Sequence, residues 1–153
     1  MNLTGKSNHP RISFLQSQEK ARQISYTSET EQYVYEPNAS LLKAGFYKGL
    51  TDLYPLRKFH PDSHLYTSDQ LVPDFPGRVF QVEARTSFNK KELKNFLHET
   101  DKASVAIRNF PLSVDELRKK LKIKEGGDTY VFATTLANDK HILLKAGKIT
   151  LTN

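Results

Sequence analysis

Alternating strand and helix signals predict an α+β fold for this chain of 153 residues. Three observations carry that expectation. Two helix-start signatures lie between strand-like patterns in the second half. A break, Val72-Pro73-Asp74-Phe75-Pro76-Gly77, cannot continue a helix or a central strand. A content of 37% hydrophobic residues, with seven Gly and seven Pro, describes a globular chain rather than a disordered or fibrous one. The length fits one ordinary domain or two very small ones, and the break marks the module boundary.

In the first half, the opening ten residues are rich in Asn, Ser, Gly and Lys and read as loosely held. Residues 11–15 read as strand, and Ser17 is placed to cap a short helix running to Ile24. Residues 32–35 read as strand. Asn38 is placed to cap a longer helix over residues 39–53, ended by Pro55. Gly45 and Gly49 would share one face of that helix, allowing close approach to a neighbour at ~1 kcal/mol of propensity each. Residues 65–67 read as a short strand. Tyr33, Tyr35, Phe46, Tyr47, Tyr54 and Phe59 are expected in a core and a module interface rather than on a stacking platform.

The second half has a clearer local code. Phe80, Val82 and Ala84 alternate with Gln81, Glu83 and Arg85, the pattern of a half-buried strand. Asn89 with Glu92 forms a capping box, Phe88 with Leu93 a hydrophobic staple, and Leu93, Phe96 and Leu97 the buried stripe of a helix. Residues 104–108 form a strand with Val105 and Ile107 on one face. Ser113 with Glu116 and Leu112 with Leu117 repeat the box and the staple. Val114, Leu117 and Leu121 share a helix face, and Glu125-Gly126-Gly127-Asp128 ends the helix. Residues 129–136 and 141–146 read as a hairpin about Asn138-Asp139. The order is βαβαββ, and crossover helices between the first strands imply parallel pairing.

Composition narrows the chemistry. The absence of Cys removes disulfides, thiolate metal sites and thiol nucleophiles. No apolar run approaches the ~20 residues a bilayer needs, and the start lacks a secretory hydrophobic stretch, so a cytoplasmic chain is expected. No two glycines are spaced G-x-G, no P-loop is present, and there is no G-x-S-x-G elbow. A self-sufficient enzyme is therefore not expected. His60-Pro61-Asp62-Ser63-His64 offers nitrogen and oxygen ligands, yet Pro61 forbids the helical i,i+4 face and no further ligand is evident. A turn with hydrogen-bonded histidines is the favoured reading, with no metal. Glu36-Pro37-Asn38 sits where catalytic residues collect in α/β folds, but no partner acid, base or nucleophile accompanies it, so a structural role is favoured.

Charge is informative once divided. Residues 1–78 carry 9 Lys/Arg against 8 Asp/Glu, and residues 79–153 carry 14 against 9, so most of the net +6 lies late. Its focus is Arg118-Lys119-Lys120-Leu121-Lys122-Ile123-Lys124, which with Lys102 and Arg108 would make a phosphate-contacting face. A solvated helix face is the alternative, and composition alone does not choose. Asn109-Phe110 offers an amide and a ring to a base, although Phe110 before Pro111 more often belongs to a core.

Several segments, in order, resemble a known family. They are Tyr33-Val34-Tyr35-Glu36-Pro37-Asn38-Ala39-Ser40-Leu41-Leu42-Lys43-Ala44-Gly45, Ser63-His64-Leu65-Tyr66-Thr67-Ser68 and Phe75-Pro76-Gly77-Arg78-Val79-Phe80. The longest runs from Arg108-Asn109-Phe110-Pro111-Leu112-Ser113 through Leu121, followed by Gly126-Gly127-Asp128. Together, from about Thr4 to Lys148, they resemble the C-terminal region of an uncharacterised Bacteroidetes-type family of class I S-adenosylmethionine-dependent methyltransferases.

The resemblance implies a small ferredoxin-like α/β module over residues 1–76 and a THUMP-like βαβαββ module over residues 77–153. THUMP domains are in general RNA-binding modules that present tRNA to an attached modifying domain. The expectation is therefore a non-catalytic region, an excised fragment or a split subunit, that binds RNA, tRNA included. Its catalytic partner would be an upstream methyltransferase domain, in cis or in trans. S-adenosylmethionine is expected only in that domain, and no cofactor or catalytic residue on this chain. Lys102, Arg108, Arg118, Lys119, Lys120, Lys122 and Lys124 are the expected RNA contacts. A structural module that packs on and stabilises the methyltransferase domain without RNA is the alternative. An independent hydrolase or metal enzyme built on Glu36, His60 and His64 ranks last.

Overall fold

In the computed structural model, the described residues are Leu3–Thr4, Arg11–Ile12, 25–87 and 89–150. Strands β1 (Leu3–Thr4) and β2 (Arg11–Ile12) pair antiparallel by themselves. The rest of the strand expected over 11–15, the helix from Ser17 to Ile24 and Phe88 of the staple lie outside the described residues. The body then runs β3 (Tyr33–Pro37), α1 (Ala39–Lys43), α2 (Gly49–Leu53), β4 (Arg57–His60) and β5 (Ser63–Ser68). It continues with β6 (Gly77–Ser87), α3 (Lys90–Phe96), β7 (Ser104–Arg108), α4 (Val114–Leu121), β8 (Thr129–Thr135) and β9 (His141–Ile149). An α+β fold is what the sequence predicts, and the structure has it.

Strands β3 to β9 form one sheet of seven, ordered β4-β5-β3-β6-β9-β8-β7. The sheet crosses the Pro-rich break without interruption, because β3 pairs antiparallel with β6 from Tyr33↔Gln81 to Pro37↔Gly77. Pairing in the second half differs from a simple succession of parallel strands. Among the described strands only β7 and β8 pair parallel. The last strand, β9, inserts between β6 and β8 and pairs antiparallel with both. A long hairpin strand closes those ladders at once, whereas β6 and β7 never meet.

The sheet is strongly curled. β5 and β8 stand four steps apart in strand order, ~19 Å in a flat sheet, yet Ser63 Oγ donates to the Thr135 carbonyl at 2.8 Å. Inside the curl, Val34, Phe59, Leu65, Phe80, Phe132, Ile142, Leu144 and Ala146 make one apolar core. On the outer face, α1 and α2 cover a second core with Tyr35, Phe46, Leu50, Tyr54, Tyr66 and Phe75, and α3 and α4 a third with Phe96, Leu117, Leu121, Val131 and Leu143. The aromatic first half is thus core, as read, with Tyr35, Phe46, Tyr54 and Phe59 all buried.

Local corrections have local causes. The single helix expected over 39–53 is two short ones, because Gly45 at φ +71° ends α1 and lets Phe46 N–H reach back to the Leu41 carbonyl (3.1 Å). Gly45 and Gly49 therefore share no helix face. Asn38 makes no side-chain cap, and its N–H instead donates to the Pro76 carbonyl (3.0 Å), stitching the break to β3. Strand β4 adds to the expected elements, and Pro61-Asp62 is simply the tip of its hairpin with β5. A bulge between Val82 and Ala84 shifts the β6 register, so Ala84 joins the helix-covered core instead of sharing a face with Phe80 and Val82. At α3, Asn89 Oδ1 accepts from the Glu92 N–H (2.9 Å), but Glu92 returns to the Asn89 side chain rather than its backbone. The full box is present at α4, where Ser113 N–H donates to Glu116 Oε1 (3.0 Å). Lys122 at φ 57°, before the glycines, ends α4.

Gly77 joins the break to β6 where the backbones touch. A Cβ there would lie 2.1 Å from the Glu36 carbonyl oxygen, which cannot swing away without breaking the β3–β6 ladder. Gly77→Ala is expected to cost about 2 kcal/mol or more, read as a lower urea midpoint at unchanged m-value.

Candidate nucleic-acid interface

The second half of the chain positions its cations by two short motifs. Strand β7 carries Lys102 just before its start and Arg108 at its end, and the capped helix α4 returns the chain towards the starting end. Six residues of extended chain separate Lys102 from Arg108, ~20 Å. The backbone of Lys124 then bridges that of Lys102, with Ala103 N–H donating to the Lys124 carbonyl (2.9 Å) and Lys124 N–H to the Asp101 carbonyl (2.9 Å). Five of the expected contacts, Lys102, Lys119, Lys120, Lys122 and Lys124, are exposed around the C-terminal end of α4. There the cations also complement the helix dipole. Lys119 and Lys122 border a groove of about 430 Å³ with Asp115, Arg118 and Ile123.

The two arginines are placed otherwise. Arg118 is half-buried and held by Glu125, with Asp115 at 3.9 Å. Arg108 is at the far end of β7, where it is bound to a carboxylate. Glu36, 7% exposed, receives Arg78 Nε on Oε1 (2.9 Å) and Arg108 Nε on Oε2 (2.8 Å), each arginine adding a second bond through Nη2. Arg78 is the cross-strand partner of Glu36, whereas Arg108 reaches it across the inside of the curl. The Arg78 guanidinium also lies over Phe80 (5.3 Å) and Tyr130 (5.6 Å). Each guanidinium thus gives two N–H groups to one carboxylate oxygen, and the two together compensate a carboxylate removed from water.

The sequence names Arg78 only within the segment Phe75–Phe80 and gives Glu36 no arginine partner. The alternation Val34-x-Glu36 and Arg78-x-Phe80 does place both charges on the core-facing side of their strands. A charge in phase with core residues was the available signal.

The histidine segment is a hairpin tip. The Asp62 N–H donates to His60 Nδ1 (3.0 Å), which leaves His60 Nε2 to donate to Asp139 Oδ1 (2.8 Å). His64 stacks on Tyr47 with ring centroids 3.8 Å apart. Lys58, buried beneath, donates to the carbonyls of His60 (2.6 Å) and Pro61 (2.9 Å). Burial first, then the nearby Lys58 charge, lowers the His64 pKa to about 4. Among the described residues no group of three His, Asp or Glu could hold a metal ion. The Asn109 amide is occupied by Ser63 Oγ (3.1 Å), and Phe110 packs into the third core. Among the described residues no helix is long and apolar enough to cross a membrane.

Comparisons with known proteins match two successive segments of the chain. Residues 33–76 match a family described as a ferredoxin-like domain, and residues 77–148 match one described as THUMP domain-like. The chain holds a ferredoxin-like domain followed by a THUMP-like domain. It is similar over 98% of its length to the crystal structure of a "putative methyltransferase" from Porphyromonas gingivalis W83, at 41% identity and a TM-score of 0.85. It spans 37% of that chain. A search of curated proteins gives no match. In these terms Glu36 is supplied by the ferredoxin-like domain, and both of its arginines by the THUMP-like domain.

Two outcomes follow from this geometry. Glu36→Gln leaves two arginines facing one neutral group and is expected to cost about 2–4 kcal/mol, towards the lower figure because both guanidiniums keep some solvent contact; chemical denaturation measures it. His64, held neutral when folded, stabilises fully above its unfolded pKa near 6.5, and that contribution is lost as pH falls towards 4. His64→Phe keeps the stack and should flatten the urea midpoint between pH 6.5 and 4 relative to the parent.

Proposed function

We propose that this chain is a non-catalytic, RNA-binding region of an S-adenosylmethionine-dependent methyltransferase. It presents a structured RNA, tRNA being the leading candidate, to a catalytic domain supplied in cis or in trans. S-adenosylmethionine belongs to that domain. The observation that carries the reading is the gathering of Lys102, Lys119, Lys120, Lys122 and Lys124 at one end of the THUMP-like domain. The likeness to a protein described as a methyltransferase supplies the setting, and the RNA-binding habit of THUMP domains supplies the substrate class.

The footprint is narrower than the sequence suggests. Arg108 is committed to Glu36, and Arg118 to Glu125 and Asp115, so neither is a principal phosphate contact. Ammonium groups on flexible stems at a helix end grip a backbone by charge and counterion release. Selectivity then comes from RNA shape and 2′-hydroxyls.

Filter binding of a tRNA transcript tests the reading. Lys119→Glu, Lys122→Glu and Lys124→Glu together should weaken binding by at least about tenfold and reduce the slope of log K against log salt by roughly two to three. Arg108→Lys should leave affinity within about twofold. Absence of retention at low salt, or retention indifferent to the triple reversal, would overturn the proposal.

A further inference from the structure

The two borders of the curled sheet are treated differently. Outside β4, residues 25–27 run alongside, with Thr27 N–H donating to the Lys58 carbonyl (2.9 Å) and Lys58 N–H to that of Ser25 (2.9 Å). Strand β7 is the opposite border and, among the described residues, pairs only with β8. Sheet proteins usually blunt such a border with charge, proline or a covering element. Here it reads Ser104-Val105-Ala106-Ile107 before the first charge, Arg108, and every residue of the strand is half-buried.

A groove of about 400 Å³ follows this border. It is lined by all five consecutive residues of β7, with Val114 on the helix side and Tyr130 and Arg78 on the inner side. Side chains of a strand alternate between faces, so a wall made of successive residues is the backbone edge itself.

We propose that the β7 border is a docking site for an extended acidic peptide, added as an eighth strand. Main-chain bonds to β7 supply the hold, and alternate peptide side chains enter the Val105–Ile107–Val114 side and the Ala106–Tyr130 side. Charge complementarity selects the occupant. Lys102 stands before one end of the strand; at the other the Arg78–Glu36–Arg108 triad keeps one net positive charge, and its two arginines, though bonded to Glu36, are still 39% and 35% exposed. A second copy paired antiparallel would set the arginine end of each β7 against the Lys102 end of the other, which like charges oppose. A peptide with a carboxylate near each end and small apolar residues between meets both.

The probe is the synthetic peptide Glu-Val-Thr-Val-Glu, fluorescein-labelled and titrated into the full chain by anisotropy. Saturable binding is expected, with shifts of the Ser104–Arg108 amide resonances in the ¹⁵N-labelled chain. Added strands direct alternate N–H groups at the border, so N-methylating one alternate set should cost at least about tenfold and the other set little. Lys in place of both Glu should abolish binding. Failure of the parent peptide to bind, equal tolerance of both N-methyl sets, or shifts confined to the lysines of α4 would overturn the proposal. So would displacement of the peptide by a single-stranded oligonucleotide, which would give the groove to nucleic acid. A chain dimer that the peptide dissociates would equally overturn it, by giving the border to a second copy.

Discussion

A carboxylate out of water must be neutralised or compensated, and Glu36 is compensated by guanidiniums from two different strands. Arg78 is its neighbour in the sheet. Arg108 is three strands further along from Arg78, and can reach Glu36 only because the sheet curls. The ion triad and the curl therefore require each other. The same interaction removes Arg108 from any role that needs a free guanidinium, so the cationic face shrinks to the lysines at the other end of β7.

Beneath that triad, the apolar interior works in the same direction. Phe59 and Leu65 from one border of the sheet pack with Phe132, Leu136 and Ile142 from the other side. The Ser63–Thr135 and His60–Asp139 hydrogen bonds close the contact at its polar rim. The four helices of the described residues lie on the outer face, where they bury two further cores. The bulge at Val82–Ala84 is what allows one long strand to serve all three cores, since it reverses which side chains face inward partway along β6.

Much of this was legible where the signal is local. The Ser113–Glu116 box, the β7 strand and the hairpin about Asn138-Asp139 are each encoded within a few residues. The failures are of two kinds. Gly45 looked like a helix residue because propensity does not reveal a left-handed φ. The insertion of β9 between β6 and β8, the Arg108–Glu36 pair and the curl depend on partners far apart in the chain. A basic run names its members but not their neighbours, so Arg118 and the lysines looked equivalent until Glu125 was found beside one of them.

The antiparallel ladder between β3 and β6 has a consequence for how this segment passes between proteins. Recombination after Pro76 would leave each half with a raw border of unsatisfied peptide groups and an orphaned charge. The two family-defined domains share one ladder and one buried ion triad, so they are expected to travel as a single cassette.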